Sequence, residues 1–238
     1  MESYLICATP RSGSTLLCGL LRSTGVAGRP ESYFRRQSVS AYADAWGLPR
    51  RGDGLTEVDG FVRAAVAAGS TANGVFGARI MWGTMTELTD ALSGAHAGGT
   101  VSALRLLTEA FGRTRFLHLR RVDTVAQAVS RARAEQTHSW HPGEESVAGG
   151  RSRTSTATSS TSSCTPSPCT SRPGRWFAGQ GLAPYELTYE DLAEDPIGAA
   201  TGVLEHLGLV LPPDRTITVR DRRQADDLNA DWIERYRG

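Results

Sequence analysis

Lysine is missing from this chain: all 26 basic residues among the 238 are arginine. That excludes Schiff-base catalysis, and it excludes the lysine that grips the β- and γ-phosphates in a nucleoside-triphosphate loop. Excess charge is lacking as well. Twenty-five acidic residues leave a formal net charge of +1, which offers no broad attraction to nucleic acid or to an anionic membrane surface. Cysteine is scarce, and Cys7, Cys18, Cys164 and Cys169 follow no zinc spacing; the first two lie in apolar segments where cysteine acts as a small hydrophobe, so reduced thiols are expected. None of the histidines has a partner at ligand spacing, so no histidine is given a catalytic role and no metal is expected. No apolar run reaches membrane-spanning length, and no basic stretch leads into an apolar one at the start. A cytoplasmic protein is expected.

What is present fits one α/β domain over 1–238. Apolar runs predict strands over 4–8, 74–81, 116–119 and 184–188, and helical periodicity falls between them at about 56–68, 101–111, 124–136, 190–207 and 226–236. Alternation of this kind predicts a P-loop-like three-layer fold with a mostly parallel central sheet. One stretch breaks the pattern. Residues 149–174 read GGRSRTSTATSSTSSCTPSPCTSRPG, with almost no apolar side chain, and cannot build a core. Of a disordered insertion, a secreted-type stalk and an out-of-frame segment, the third is favoured because both flanks, with Trp140 and Trp176-Phe177, look like ordinary globular sequence.

The first strand ends in Pro10-Arg11-Ser12-Gly13-Ser14-Thr15, and Leu16, Leu17, Leu20 and Leu21 then keep helical spacing. Backbone N–H groups at a helix start, a glycine that allows close approach and hydroxyl donors together make a phosphate cradle. A Walker A loop would need glycine where Ala8 stands and lysine where Ser14 stands, and it fails at those two places; Thr15 does match. A kinase reading is weakened accordingly, and a plain Ser/Gly turn with a helix cap is the other reading of this stretch. Position favours the cradle, because open α/β sheets bind ligands at the carboxyl ends of their strands. A second anion site is placed at the end of the third strand, where Arg120-Arg121 leads into a helix that Asp123 is predicted to cap and that carries Gln127 and Ser130. Two such sites at neighbouring strand ends suit a nucleoside with phosphates on both sides.

These residues resemble the bacterial sulfotransferase family typified by trehalose 2-sulfotransferase, which uses 3′-phosphoadenosine 5′-phosphosulfate. Besides the first turn, the likeness runs through Thr24-Gly25-Val26-Ala27-Gly28 with Pro30 and Phe34, Asn73-Gly74-Val75-Phe76-Gly77 with Met81-Trp82, and Arg121-x-Asp123-x-Val125-x-Gln127-Ala128-Val129-Ser130. It continues in Gln136-Thr137, Arg223-Gln224-Ala225-Asp226, Trp232 and Arg235-Tyr236. The resemblance implies that Arg11, Ser12, Gly13, Ser14 and Thr15 bind the 5′-phosphosulfate, that Arg121 and Ser130 bind the 3′-phosphate, and that Arg223 and Gln224 close over the nucleotide. Arg11 is the cation expected to stabilise the transfer. The resemblance also implies a glutamate base near Gly28-x-Pro30. Glu31 is the nearest candidate, although an ungapped alignment sets the family's base on Ser32.

Arg79 stands where trehalose-sulfating relatives carry lysine, and Tyr33, Phe34, Trp46 and Trp82 are candidate sugar-stacking rings. The expected partners are a carbohydrate or glycolipid acceptor and, by resemblance, a second copy of the chain. An inactive nucleotide-binding relative is the competing reading, since losing a helix at 149–174 would disturb its neighbours. Resequencing the coding DNA is expected to reveal a frame error in the Ser/Thr-rich stretch, and an unbroken frame on both strands removes that explanation.

Overall fold

Six consecutive residues of the first strand, β1 (Glu2–Ala8), are buried, as a strand covered on both faces requires. The structure is a computed structural model that describes residues 2–51, 54–55, 57–94, 101–137 and 171–219. In it, β1 is flanked by β4 (Val75–Met81) on one side and β5 (Arg113–Arg120) on the other, and β6 (Tyr185–Thr188) pairs with β5. All these pairings are parallel. The chain passes from β1 to β4 and then returns to β5 across β1, so the strand order reverses at β1 and a crevice opens at its carboxyl end. A two-stranded antiparallel ribbon, β2 (Arg50–Arg51) with β3 (Gly54–Leu55), stands apart from this sheet.

Side chains alternate across β1. Leu5 and Cys7 enter one core with Phe76, Ala78, Ile80 and Phe116, while Tyr4, Ile6 and Ala8 enter another with Leu117, Leu119 and Leu187. The first core is covered by α2 (Arg36–Ala45), α3 (Val58–Gly69), α4 (Trp82–Gly94), α5 (Ala103–Phe111) and α7 (Ser171–Gly179). The second lies beneath α1 (Ser14–Ser23), α8 (Tyr189–Glu194) and α9 (Pro196–Leu207). This is the three-layer α/β arrangement that the alternation of elements predicts.

The structure differs from the sequence reading in three places. Helices α2, α4 and α7 were not predicted: α2 fully buries only Ala43, with Val39 and Tyr42 partly buried against the core, and α4 follows β4 without an intervening turn. The helix predicted over 190–207 is two, because Pro196 cannot donate to a continuing ladder and the Asp195 carboxylate instead caps a new helix by accepting from Gly198 N at 2.8 Å. Four residues of the Ser/Thr-rich stretch, 171–174, belong to α7, and its rim at Phe177 is buried against Phe116 and Trp82. The remainder, 149–170, and the helix predicted at 226–236 lie outside the described residues.

Close backbone approach explains Gly28 and Gly77. A Cβ on Gly77 would stand 2.6 Å from the buried Tyr4 hydroxyl, which donates to the Ala27 carbonyl at 2.5 Å. Gly28 adopts φ +68, and a Cβ there would meet Gly77 N at 2.7 Å and Gly69 O at 2.9 Å. Backbone cannot move aside as a side-chain tip can. Gly28→Ala is therefore expected to destabilise by about 3 kcal/mol, lowering the melting temperature by about 6–12 °C in a thermal unfolding scan.

Candidate functional site

The turn from β1 into α1 is held in a conformation that its own residues do not favour. Gly13 has φ 83, and Arg11, at φ 65, is the non-glycine residue with positive φ among the described residues; an L-residue there costs about 1–2 kcal/mol. Contacts from outside the turn offset that cost. Arg11 Nε donates to Ser130 Oγ at 2.9 Å, on α6 (Thr124–Thr137), and the Arg11 carbonyl accepts a long bond of 3.5 Å from Arg121 Nη1. Buried Gln127, one turn ahead of Ser130, donates from Nε2 to Thr9 Oγ1 at 2.8 Å and to the Pro10 carbonyl at 2.7 Å. The buried Ser12 hydroxyl closes the turn on the Thr9 carbonyl at 2.8 Å. The residue at the helix cap is Gly13, which brings no side-chain acceptor to the first amides of α1. The positive end of the helix is thus presented to the crevice without a built-in anion.

Opposite the turn, Arg79 reaches over from β4. Its Nη1 donates to Thr15 Oγ1 at 2.9 Å and its Nε to Ser32 Oγ at 2.7 Å, so one guanidinium joins the first turn of α1 to the extended segment at 31–32. That segment is fixed by its backbone, with Arg79 N donating to the Glu31 carbonyl at 2.9 Å and a parallel bridge between Glu31 and Ala78. The Glu31 carboxylate pairs with Arg22 near the end of α1. Burial, with the Glu31 charge adding to it, pushes the Tyr33 and Tyr42 hydroxyls up from their ordinary value.

On the far side of the turn, the Arg121 guanidinium lies 4.4 Å from the centroid of the Tyr189 ring. Glu190 accepts from Val122 N at 3.0 Å and from Asp123 N at 3.2 Å. Asp123 caps α6 as predicted, accepting from Ala126 N at 2.9 Å. A cleft of about 360 Å³ opens here, lined by Arg121, Asp123, Tyr189, Glu190, Ala193 and Glu194.

Several residues singled out in the sequence therefore meet at the carboxyl edge of the sheet: Arg11, Ser12, Gly13, Ser14 and Thr15 in the turn, Arg79 on one side, Arg121 and Ser130 on the other. Tyr33 and Phe34 do not line an open surface. They are 3% and 7% exposed, packed against Trp46, Phe61, Phe76 and Phe111 in the aromatic core, which corrects the sugar-stacking expectation for both rings. Trp82 is half-buried with an edge on Trp176. Arg223 and Gln224 lie outside the described residues. Sequence reasoning missed Ser32 as a partner of Arg79, Gln127 as the support of the turn, and Tyr189 and Glu190 altogether. Only Gln127 carried a signal, as an amide three residues before Ser130 on the same helix face. Among the described residues no group of three or more His, Cys, Asp or Glu is placed to hold a metal, and no helix is long and apolar enough to cross a membrane.

A family profile described as Stf0 sulphotransferase matches residues 3–238. The chain belongs to that family. Trehalose 2-sulfotransferase of Mycolicibacterium smegmatis is 30% identical over 258 residues, covering 99% of this chain and 94% of the relative. Trehalose 2-sulfotransferase of Mycobacterium tuberculosis is 29% identical over 266 residues, with 100% and 95% covered. The sulfotransferase domain of the Synechococcus PCC 7002 olefin synthase superposes over 100% of this chain and 95% of that one at a TM-score of 0.45 and 15% identity, too loosely to bear on the site.

Replacing Gln127 by Leu preserves bulk but strips the Pro10 carbonyl and the Thr9 hydroxyl of their donor. A cost of about 2–3 kcal/mol is expected for the two lost bonds, measured as a lower urea midpoint at unchanged slope.

Proposed function

We propose that this protein moves a sulfuryl group from 3′-phosphoadenosine 5′-phosphosulfate to a hydroxyl of a carbohydrate acceptor, trehalose, a related glycoside or a glycolipid. The observation that carries the reading is the physical contact between two anion sites that lie more than a hundred residues apart in sequence: Arg11 on Ser130, and Arg121 on the Arg11 carbonyl. One bridged pair of cationic sites flanking a helix start suits a ligand with phosphates on both sides of a nucleoside. The buried Arg121 Nε, which has no hydrogen-bond partner among the described residues, fits an anionic ligand as well.

In this reading the donor supplies the sulfuryl group and a phosphate leaving group. The N-terminal amides of α1 and the Thr15 hydroxyl receive the 5′-phosphosulfate, and Arg11 and Arg79 bear on it from two sides, holding positive charge where negative charge accumulates during an in-line displacement. Arg121 and Ser130 receive the 3′-phosphate. The remaining need is a group that takes the proton of the acceptor hydroxyl. Glu31 is the carboxylate of the segment beside Arg79, and it serves as general base once its pair with Arg22 opens to the acceptor. The resemblance further implies a homodimer, with Arg223 and Gln224 over the nucleotide, and the sequence reading adds a cytoplasmic setting; light scattering of the purified chain reads the first of these.

Saturating adenosine 3′,5′-bisphosphate is expected to raise the melting temperature, since about a hundredfold excess over Kd adds about 2.7 kcal/mol to a folded-state binder, while ATP with Mg²⁺ is expected to leave it unchanged. A shift with ATP alone overturns the reading in favour of a kinase. For the base, Glu31→Gln is expected to lower turnover at least about a hundredfold with the bisphosphate-induced shift intact; undiminished turnover on a carbohydrate acceptor removes Glu31 from the chemistry.

A further inference from the structure

We infer that the first two residues of α8, Tyr189 and Glu190, are positioning residues for Arg121, and that they set how strongly the site distinguishes a 3′,5′-bisphosphorylated nucleoside from one phosphorylated at 5′ alone. The inference rests on the donor reading above, and it concerns residues that neither the first turn nor the second anion site contains.

A single arginine at a strand end has no reason to hold one pose. Its stem carries several rotatable bonds, and an unfixed guanidinium loses rotamer entropy each time it meets a phosphate. Arg121 is fixed here from below and from behind. The Tyr189 ring supports the guanidinium at 4.4 Å from its centroid, a cation–π arrangement that leaves the in-plane N–H groups free to point elsewhere. Glu190 pins the backbone of the next two residues by accepting both the Val122 and Asp123 amides, at 3.0 and 3.2 Å. Side chain and backbone of the 121–123 segment are thereby fastened to consecutive residues of one short helix, which the Thr188 hydroxyl caps by accepting from Asp191 N at 3.1 Å.

The contacts of Arg121 also leave its charge unspent. They are a ring face and one long bond to a carbonyl, with no carboxylate pair among the described residues, and its buried Nε has no partner. Ring and turn are in register as well: the space above Gly13 is filled by Tyr189, whose Cδ2 would lie 2.7 Å from a Cβ placed there. One aromatic ring therefore touches the first anion site with its edge and supports the second with its face, so it fixes the separation between them. A ligand whose two phosphates match that separation gains from both sites, and a monophosphate gains from one.

The test is isothermal titration of the full chain with adenosine 3′,5′-bisphosphate and with adenosine 5′-phosphate, reading the ratio of the two affinities. Wild type is expected to prefer the bisphosphate. Tyr189→Leu keeps the bulk against Gly13 but removes the ring face, and is expected to lower the ratio about tenfold, whereas Tyr189→Phe keeps it. Glu190→Gln, at a half-buried surface position, keeps one acceptor oxygen but turns an NH2 donor toward the other amide, so Val122 N and Asp123 N are no longer both held; it is expected to lower the ratio too, which keeps the test decisive should the leucine variant not fold. In the Tyr189→Leu background, Arg121→Ala is expected to lower the ratio little further. A preference that survives in Glu190→Gln and in any folded Tyr189→Leu overturns this inference alone, and a wild-type protein without preference overturns both the inference and the donor reading beneath it.

Discussion

The hydrogen bond from Arg11 Nε to Ser130 Oγ joins the end of the central strand to the middle of α6, and the other contacts at the carboxyl edge are arranged around it. It recruits the side chain of a residue whose backbone is left-handed, so the helix helps hold the turn in a pose it does not favour alone. Gln127, one turn earlier on α6, grips the same loop through Thr9 and Pro10. With the entry to the turn tied to α6, the start of α1 is left facing the crevice, and the strand reversal at β1 is what puts a crevice there.

The electrostatics of this edge differ from those of the surface. Arg22, Arg105 and Arg113 pair with Glu31, Glu109 and Glu2, exposed ion pairs of the kind that contribute little. Arg79 and Arg121 meet hydroxyls, a carbonyl and an aromatic ring instead. Neutral partners orient a guanidinium without neutralising it. A net charge of +1 for the whole chain thus coexists with a local concentration of positive charge, which composition alone could not reveal.

Much of the fold was legible because β1 is buried on both faces and reads as an unbroken apolar run at 4–8, while the more mixed runs at 74–81, 116–119 and 184–188 also each lie within or around one of the four parallel strands. The turn at residues 10–15 was legible as the break between β1 and α1, since glycine and hydroxyl residues directly after an apolar run mark a turn. What escaped is what depends on tertiary contact. Helix α2 is short, and only Val39, Tyr42 and Ala43 of its ten residues meet the core. The break at Asp195-Pro196 falls inside a pattern that otherwise continues. Tyr33 and Phe34 looked like exposed rings because sequence does not say which side of a segment faces the sheet. Tyr189 and Glu190 have no motif of their own; they matter because parallel pairing of β6 with β5 brings the start of α8 beside Arg121.

The absence of lysine has one more consequence, seen in how the site would respond to acid and base. Guanidinium groups keep their protons across the whole range in which a folded protein survives, so an anion site built on arginine holds its charge by the chemistry of the side chain. A lysine-based phosphate site would lose charge at the alkaline end and blur the record of the proton acceptor. On the proposed reading, the pH profile of turnover then reports the proton acceptor and the ligand's own phosphates.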